Sequence, residues 1–545
     1  MNKDVSKIRA RRARSREKKA RVAPPAPLHR GPLAGFLIGL GIWAVASVLV
    51  IERYPWELGA GVSILFPVAA ESVLLLVVTL AAGLFINMAR PGILQRNDAL
   101  LLIGAVVLVA LLPAKGILYM SQRLGFIHPE ITGFLLPFAL APMLLTVLLS
   151  PTVAVAVGIW VSVVMALMAQ NDLFLLMAGI TVTIVTAEVI HGVRTRSKVL
   201  KDGLAIGLCE IAYVFGITAL HWAEADLSLV LRQAGACLLS GLFAAILALL
   251  VLPLLEYAFQ ITSDITLLEF ADLGHPVLQR LAIEAPGTYH HSLVVANLAQ
   301  AAADEIDANS LVARICAYFH DIGKLTKPGF FTENIRMQEN PHDSLPPSMS
   351  ALVIKSHVNE GLGLADLHKL PRPIRQIIRE HHGTSLMSFF HQKAKAQSPE
   401  NGRKKTGSKD RFGNLESEFR YPGPRPSTRE SAIICLADAV EAASRSLSKT
   451  APAHLEAMVD EIVGKKLTDG QLDNAKLTLN ELSRVKRSFV FTLTNMLHGR
   501  VPYPKDEDSD QQQAETPASR SQDAEGIRPI PDAQGATAGA RAKVV

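Results

Sequence analysis

Long apolar runs in the first half of the chain constrain its fold more than any other feature of the sequence. A run of about 20 mostly apolar residues is long enough to cross the hydrocarbon layer of a bilayer as a helix. Eight such runs precede Tyr257, at approximately 33–51, 70–89, 98–113, 132–150, 152–169, 173–191, 203–221 and 233–255. The sequence therefore predicts a polytopic transmembrane helical bundle over residues 33–256.

The second half of the chain, from Tyr257, has the mixed charge and spaced apolar residues of a water-soluble domain. Segments such as Ser292–Ile306 and Leu311–Phe319 have helical spacing, and few alternating strand patterns occur, so an all-α fold is predicted throughout. The predicted domains are a basic arm (1–32), the membrane region (33–256), a soluble domain (257–505) with a polar insert (393–416), and a disordered tail (506–545). Turns are expected at Pro286-Gly287 and Pro341, and an amphipathic connector at 257–275.

The distribution of basic residues predicts the orientation of the bundle. Cytoplasmic loops carry an excess of Lys and Arg, and three basic segments fall on one side of the predicted bundle: the N-terminal arm, the loop with Arg90 and Arg96, and the loop 194–201. The soluble domain is then cytoplasmic. The net charge of +6 owes much to the arm and does not indicate a nucleic acid polymer as partner. Acidic residues within or near spans, Glu188 and Glu210, are either functional or satisfied by interhelical hydrogen bonds.

Histidine clustering is the feature that points to chemistry. Ten of the sixteen histidines lie between His275 and His391, and His320-Asp321 falls at the predicted end of a helix. A carboxylate at a helix end can bridge two metal ions while the adjacent imidazole binds one of them. Imidazoles combined with carboxylates suit two divalent ions of iron or manganese better than calcium. The candidate ligands are His291, His320, Asp321, His357, His381, His382 and Asp438, whereas His275, His290, His342, His368 and His391 are interpreted as structural or substrate-proximal.

Several short motifs in the soluble domain resemble those of one known family. They are Pro286-Gly287-Thr288-Tyr289-His290-His291-Ser292, His320-Asp321-Ile322-Gly323-Lys324, Glu333-Asn334, Asn340-Pro341-His342-Asp343, Ser356-His357-Val358, His381-His382-Gly383-Thr384-Ser385, Phe419-Arg420-Tyr421-Pro422-Gly423-Pro424 and the run 436–443. Over nearly all of 257–505 the chain resembles the HD domain of the seven-transmembrane HD receptors. That resemblance implies a membrane-bound phosphodiesterase that hydrolyses cyclic di-AMP to pApA with two iron or manganese ions, and it assigns ligand roles to the same seven residues.

The sequence departs from the family pattern in two places. Members typically carry a large extracellular domain between the first span and the next seven, whereas about eighteen residues separate these spans here, and the polar insert 393–416 is longer than expected. A regulatory signal is therefore expected to enter through the membrane spans, the basic arm or the cytoplasmic face. It would be coupled to catalysis through helical rotation of the connector 257–275.

The predicted mechanism gives Asp321 the role of bridging two metals that hold a hydroxide nucleophile. Lys324 either reaches a nonbridging phosphate oxygen or is a solvated cap at a helix end. The expected partners are a cyclic dinucleotide substrate and the lipid bilayer, and a homo-oligomer is allowed. The expected location is the bacterial inner membrane, with multiple spans and a cytoplasmic catalytic domain.

Other functions remain open from the sequence alone. Hydrolysis of cyclic di-GMP by the related HD-GYP class is disfavoured because Gly383-Thr384-Ser385 follows His381-His382 where that class carries a Glu and a Gly-Tyr-Pro element. Another nucleotide phosphohydrolase explains the membrane half poorly. A non-hydrolysing nucleotide-sensing receptor is disfavoured by the complete set of candidate ligands, and a transporter by the lack of paired repeats with broken helices.

Overall fold

The computed structural model describes residues 32–51, 62–220, 226–335, 340–397, 415–447 and 451–498. Within these ranges the chain is almost entirely helical, and the β-structure is limited to a single bridge between Leu386 and Arg420. The predicted all-α fold is therefore confirmed. The predicted basic arm up to residue 31, most of the polar insert and the predicted tail lie outside the described residues.

The membrane half contains nine α-helices in the described ranges. They are α1 (Pro32–Ile51), α2 (Val62–Ala89), α3 (Asn97–Gln122), α4 (Pro129–Thr132), α5 (Leu140–Leu148), α6 (Pro151–Met168), α7 (Leu173–Val189), α8 (Arg196–Leu220) and α9 (Leu227–Phe259). Seven segments there are long and apolar enough to cross a membrane, with α4 and α5 counted together, and α7 is a shorter apolar helix of 17 residues. Each of the eight predicted runs thus corresponds to a helical segment.

Several of these helices extend well beyond the apolar runs that predicted them. Helix α2 begins at Val62 rather than at residue 70, and α8 begins at Arg196 rather than at residue 203. The first residues of α8 are polar and have long side chains that reach water. The first residues of α2 are mostly apolar, and the helix continues through Pro67. Of the two acidic residues singled out in the sequence, Glu210 is buried within α8 and Glu188 is exposed near the end of α7.

The centre of the membrane bundle is formed by α5, α6 and the helices around them. In α6, 72% of the apolar stretch is buried, against 17% in α1 and 11% in α2, so the first two helices lie at the periphery. Helices α8 and α9 cross at glycines: a Cβ atom on Gly241 would lie 2.3 Å from the carbonyl oxygen of Gly203. Small residues permit such close approach between membrane helices.

Within the described ranges, the soluble half contains ten further helices joined by turns. They are α10 (Asp264–Glu269), α11 (Pro276–Glu284), α12 (Pro286–Glu305), α13 (Ser310–Phe319), α14 (Pro347–Leu367), α15 (Arg372–Glu380), α16 (Ser388–Gln397), α17 (Arg429–Ser444), α18 (Pro452–Thr468) and α19 (Leu479–His498). Three short 3-10 turns, Ile322–Thr326, Pro328–Phe330 and Thr332–Asn334, follow α13.

The turn predicted at Pro286-Gly287 is wrong, because both residues form the first turn of α12. Proline is well suited to the first helical position, where a backbone N–H would have no partner within the helix. Glycine at position 287 allows α12 to pack closely against the turn at Glu333, because a Cβ atom there would lie 1.8 Å from the carbonyl oxygen of Glu333.

The predicted connector 257–275 is not one continuous helix. Helix α9 ends at Phe259, Gln260 adopts a left-handed conformation with φ 54°, and α10 begins at Asp264. The buried carboxylate of Glu256 accepts hydrogen bonds from Ser263 N and Thr266 Oγ1, both at 2.7 Å. These polar contacts hold the beginning of α10 against the end of α9. Because the helix is interrupted there, rotation of α9 is not transmitted along one continuous helix.

The turn 322–326 brings the end of α13 directly against α14. Phe319, the last residue of α13, is fully buried, and a Cβ atom on Gly323 would lie 1.8 Å from the carbonyl oxygen of His357. Only glycine allows this separation. The chain segment that contains His320 and Asp321 is thereby fixed against the middle of α14.

Substituting Gly323→Ala is expected to lower the free energy of unfolding by at least about 1–3 kcal/mol, because the added methyl group must displace backbone. Thermal unfolding of the full chain in detergent measures this. Gly464→Ala in α18 is the control, since a Cβ atom there meets nothing within 4 Å and alanine favours helix. A Gly323→Ala protein as stable as the native chain would contradict this packing.

Candidate metal centre

Five helices deliver histidine and aspartate side chains to one buried volume. His320 and Asp321 follow α13, His381 and His382 follow α15, and the remaining three come from within α12, α14 and α17: His291, His357 and Asp438. Six of these side chains are buried, and His382 is partly buried. All seven residues predicted as ligands are therefore brought together by the fold.

Asp321 lies between two groups of potential ligand atoms. One group contains Asp321, His357, His381 and His382, the other contains His291, His320, Asp321 and Asp438, and within each group the ligand atoms lie within 4.8 Å of one another. Oδ1 of Asp321 is 3.4 Å from His357 Nε2 and 3.6 Å from His381 Nε2. Oδ2 is 3.5 Å from His291 Nε2 and 3.3 Å from His320 Nε2. The two oxygens thus face different groups.

Three imidazoles are oriented by backbone carbonyls of their own helices. Nδ1 of His320 lies 2.7 Å from Ala317 O, Nδ1 of His357 lies 2.6 Å from Ile354 O, and Nδ1 of His381 lies 3.0 Å from Ile378 O. In each case the carbonyl belongs to the residue three positions earlier. Donation from Nδ1 leaves the lone pair on Nε2, which points to the centre, and this is the tautomer that binds a metal through Nε2.

His291 and His382 are oriented by carboxylates instead. Nδ1 of His291 is 2.5 Å from Glu441 Oε2, and Nε2 is 3.1 Å from Asp438 Oδ1. Nδ1 of His382 is 3.3 Å from Asp438 Oδ2. A carboxylate behind a histidine fixes the ring and raises its basicity as a ligand.

Buried polar atoms without hydrogen bonds show that a metal pair fits this donor set. Oδ1 of Asp321 and Nε2 of His320 are buried and make no hydrogen bond, and Oδ2 of Asp321 makes only the ion pair with Lys324. A buried polar atom without a partner costs about 1–3 kcal/mol. Metal ions between the two groups would satisfy these atoms, and His with Asp is a ligand set typical of divalent transition metals.

The electrostatics of the site leave Asp321 and His357 in the forms that bind metals. Burial alone would raise the pKa of the Asp321 carboxyl, but the nearby Lys324 ammonium and His320 hold this pKa well below its ordinary value. Burial lowers the pKa of His357 to about 4, which keeps its imidazole neutral. Burial would also lower the pKa of His291, but Asp438 and Glu441 raise it to about 9, so a metal ion bound by this ring would displace a proton.

Lys324 is held between two carboxylates beside the centre. Its ammonium lies 2.8 Å from Asp321 Oδ2 and 2.7 Å from Glu333 Oε1. Thr288 Oγ1 donates to the same Glu333 oxygen at 3.0 Å, and Asn334 Nδ2 donates to Thr288 Oγ1 at 2.9 Å. Lys324 is therefore a largely buried residue, and the interpretation as a solvated cap is wrong.

Three other residues of this site lie within the sequence motifs but had no predicted role. They are Glu333 beside Lys324, Glu441 behind His291, and Tyr421, whose ring centroid is 4.2 Å from that of His382. The spacing of Glu441, three residues after Asp438, was a usable signal, because residues three apart share a helix face. Glu333 and Tyr421 lie in turns, where sequence spacing does not indicate direction.

The histidines interpreted as structural or substrate-proximal lie outside both groups. His275 accepts a hydrogen bond from Val277 N at the start of α11, His342 Nε2 lies 2.8 Å from Phe330 O, and His290 is exposed. His368 packs edge-on against His275, and His391 lies near Phe419.

Comparisons with known proteins agree with both halves of the structure. The family described as "7TM receptor with intracellular HD hydrolase" matches residues 65–263, and the HD domain family matches 288–443. The cyclic-di-AMP phosphodiesterase PgpH of Listeria monocytogenes is 34% identical over 442 residues, which are 79% of this chain and 58% of that protein. The protein of the same name from Bacillus subtilis is 32% identical over 75% of this chain and 56% of its own length. The chain thus spans less than two thirds of these relatives.

A solved structure is also similar in sequence. It is the HD domain of L. monocytogenes PgpH in complex with cyclic di-AMP, at 39% identity, with a TM-score of 0.38, over 41% of this chain and 99% of that one.

Fold and site together define a multi-pass helical membrane protein with an HD domain whose histidines and aspartates could hold metal ions. The membrane half and the HD half match known proteins in the same order. The chain belongs to the family of seven-transmembrane receptors with an intracellular HD hydrolase.

Replacing Glu441 by Gln is expected to weaken metal binding about 10–100-fold, because the carboxylate that orients His291 and raises its basicity is lost. Titration of the metal-free full chain, followed by calorimetry, measures this affinity directly and does not depend on turnover. Glu456→Gln is the control, since Glu456 is exposed on α18. Unchanged affinity in Glu441→Gln would show that His291 is not oriented by this contact.

Proposed function

We propose that this protein is a membrane-anchored phosphodiesterase that hydrolyses cyclic di-AMP to pApA at a dinuclear metal centre. The observation that carries the proposal is the position of Asp321, whose two oxygens face separate groups of ligand atoms. A carboxylate shared in this way can hold two ions close enough to act on one phosphodiester. The relatives named as cyclic-di-AMP phosphodiesterases support the choice of substrate.

In this proposal seven residues hold the ions: His291, His320, Asp321, His357, His381, His382 and Asp438. Two divalent ions bound there would acidify a water molecule and offset the negative charge of the phosphodiester. The role of the chain is to hold the ligands rigidly, through the backbone carbonyls behind His320, His357 and His381. We propose iron or manganese as the ions, because imidazole and carboxylate ligands suit both.

Lys324 is proposed to act on the substrate from its place beside Asp321. The ammonium is charged, since burial lowers its pKa but Asp321 and Glu333 raise it above the ordinary value. It can contact a nonbridging phosphate oxygen while Glu333 and Phe331 restrict its movement. A positive charge fixed there would stabilise the charge that develops on the phosphoryl oxygens.

The proposed cellular arrangement follows the charges and the direction of the helices. The loop between α2 and α3 carries Arg90 and Arg96, the loop before α8 is also basic, and α9 ends on the same side. Basic loops favour the cytoplasm, so the proposed catalytic domain, residues 257–505, faces the cytoplasm from the inner membrane of a bacterium. A homo-oligomer is compatible with this arrangement.

The substrate is tested by incubating the full chain in detergent with Mn²⁺ and, separately, cyclic di-AMP, cyclic di-GMP and a deoxynucleoside triphosphate. Chromatography of the products is expected to show pApA from cyclic di-AMP and at least about tenfold slower turnover of cyclic di-GMP. Faster release of product from cyclic di-GMP or from the triphosphate would contradict the proposal. Binding of cyclic di-AMP without product would indicate a receptor.

Substituting Asp321→Ala is expected to abolish hydrolysis without unfolding the protein, because both groups of ligands lose a shared oxygen. The initial rate and the helical circular dichroism of the full chain are measured together. Asp366→Ala, an exposed aspartate on α14, is the control. Retained turnover at the native rate with lowered stability would mean that Asp321 has only a structural role.

A further inference from the structure

A cavity of about 1610 Å³ lies in the membrane half between α1, α2, α3 and α6. Pockets that hold small metabolites have volumes of about 300–1,000 Å³, so this cavity has room for a larger molecule. It is remote in sequence from the metal centre, and its residues play no part in the proposed hydrolysis. We propose that it binds one phospholipid whose head group carries both a phosphate and an ammonium.

The walls of the cavity suit acyl chains. They include Phe36, Leu80 and Leu84, whose exposed fractions are 67%, 64% and 62%, so these large side chains are not packed against protein. Two tryptophans also line it, and both indole N–H groups are already used: Trp43 Nε1 donates to Ser72 O at 3.0 Å and Trp160 Nε1 donates to Thr79 Oγ1 at 2.8 Å. The rings therefore offer apolar faces without unsatisfied donors, which favours hydrocarbon over a polar solute.

Glycines keep this volume open. Gly39 on α1 and Gly83 on α2 both line the cavity, and a Cβ atom on either would meet nothing within 4 Å. Space beside these residues is therefore not filled by neighbouring helices. An acyl chain can lie along the backbone of α1 and α2 there.

One end of the cavity is polar. Asn87, Gln95, Arg96, Asn97 and Asp98 line it at the end of α2 and the beginning of α3. Successive spans alternate in direction, so this end lies on the side of the bundle at which α9 ends. A bound lipid would then have its head group at this membrane surface and its tails within the bilayer, as in the surrounding leaflet.

The charges at the polar end are complementary to a zwitterionic head group. Arg96 and Asp98 form an exposed ion pair with a distance of 2.7 Å between Nη2 and Oδ2. This contact uses only two of the five N–H donors of the guanidinium, so Arg96 can bind a phosphate while the Asp98 carboxylate binds an ammonium. The other lining residues at this end are neutral amides, so the lining itself has no excess charge that would select an anionic head group.

Two pairs of variants test the proposal. Gly39→Phe fills the cavity, whereas Gly41→Phe places the same side chain on α1 at another open position that does not line it. Arg96→Gln removes the phosphate contact, and Arg194→Gln is its control in another basic loop on the same side. Arg96 and Arg194 are both exposed, so neither substitution threatens folding.

The full chain is reconstituted in bilayers of equal parts phosphatidylethanolamine and phosphatidylglycerol, extracted in mild detergent, and examined for retained lipid by native mass spectrometry. We expect one phosphatidylethanolamine per chain in the native, Gly41→Phe and Arg194→Gln proteins. Gly39→Phe should retain at least about tenfold less, and Arg96→Gln about fivefold less. Equal retention by Gly39→Phe and native protein, or retention of the two lipids in the ratio supplied, would overturn the proposal. Hydrolysis is not used as a readout, so this result is independent of the proposed catalytic function.

Discussion

The carboxylate of Asp321 is fully buried, and the arrangement of the HD domain around it follows from that placement. An uncompensated charge in a protein interior is costly, so the surrounding structure must provide positive or metal partners. Lys324 provides one, at 2.8 Å, and two groups of imidazoles surround the oxygens. Three features hold these side chains in place. They are the end of α13, the contact between Gly323 and α14, and the backbone carbonyls that orient the histidines.

The membrane half is connected to this site by a short series of contacts, which are polar next to the membrane helices and aromatic next to His320. Nη2 of Arg196, at the start of α8, lies 2.6 Å from Oε1 of Glu269, at the end of α10. The carboxylate of Glu256 accepts hydrogen bonds from Ser263 and Thr266 at the beginning of α10. Phe270, which follows α10, lies against Phe319 with ring centroids 6.4 Å apart. Phe319 directly precedes His320. A chain of direct contacts therefore links α8 and α9 to the metal centre, although no single continuous helix joins the membrane half to it.

The sequence predicted much of this structure because its strongest signals are local. Apolar runs located the membrane helices, and helix-terminal residues such as His320, Asp321, His381 and His382 stood out beside glycines. Helix ends were predicted less well: α8 begins among polar residues that hydropathy excludes, α2 begins before Pro67, and Pro286-Gly287 resembles a turn in isolation. The roles of Glu333 and Glu441 depend on contacts 9 and 150 residues away, to Lys324 and His291. Such contacts are set by packing, and their local trace in the sequence is limited to the spacing of Glu441 three residues after Asp438.

The metal content of the purified full chain tests whether the buried carboxylate of Asp321 joins two metal ions. Elemental analysis after purification without chelators is predicted to give two transition-metal ions per native chain. Asp321→Ala is predicted to lose both ions, because each group depends on one of its oxygens, while Asp366→Ala keeps two. A native chain with one ion and full turnover, or an Asp321→Ala protein that still holds two ions, would contradict the account.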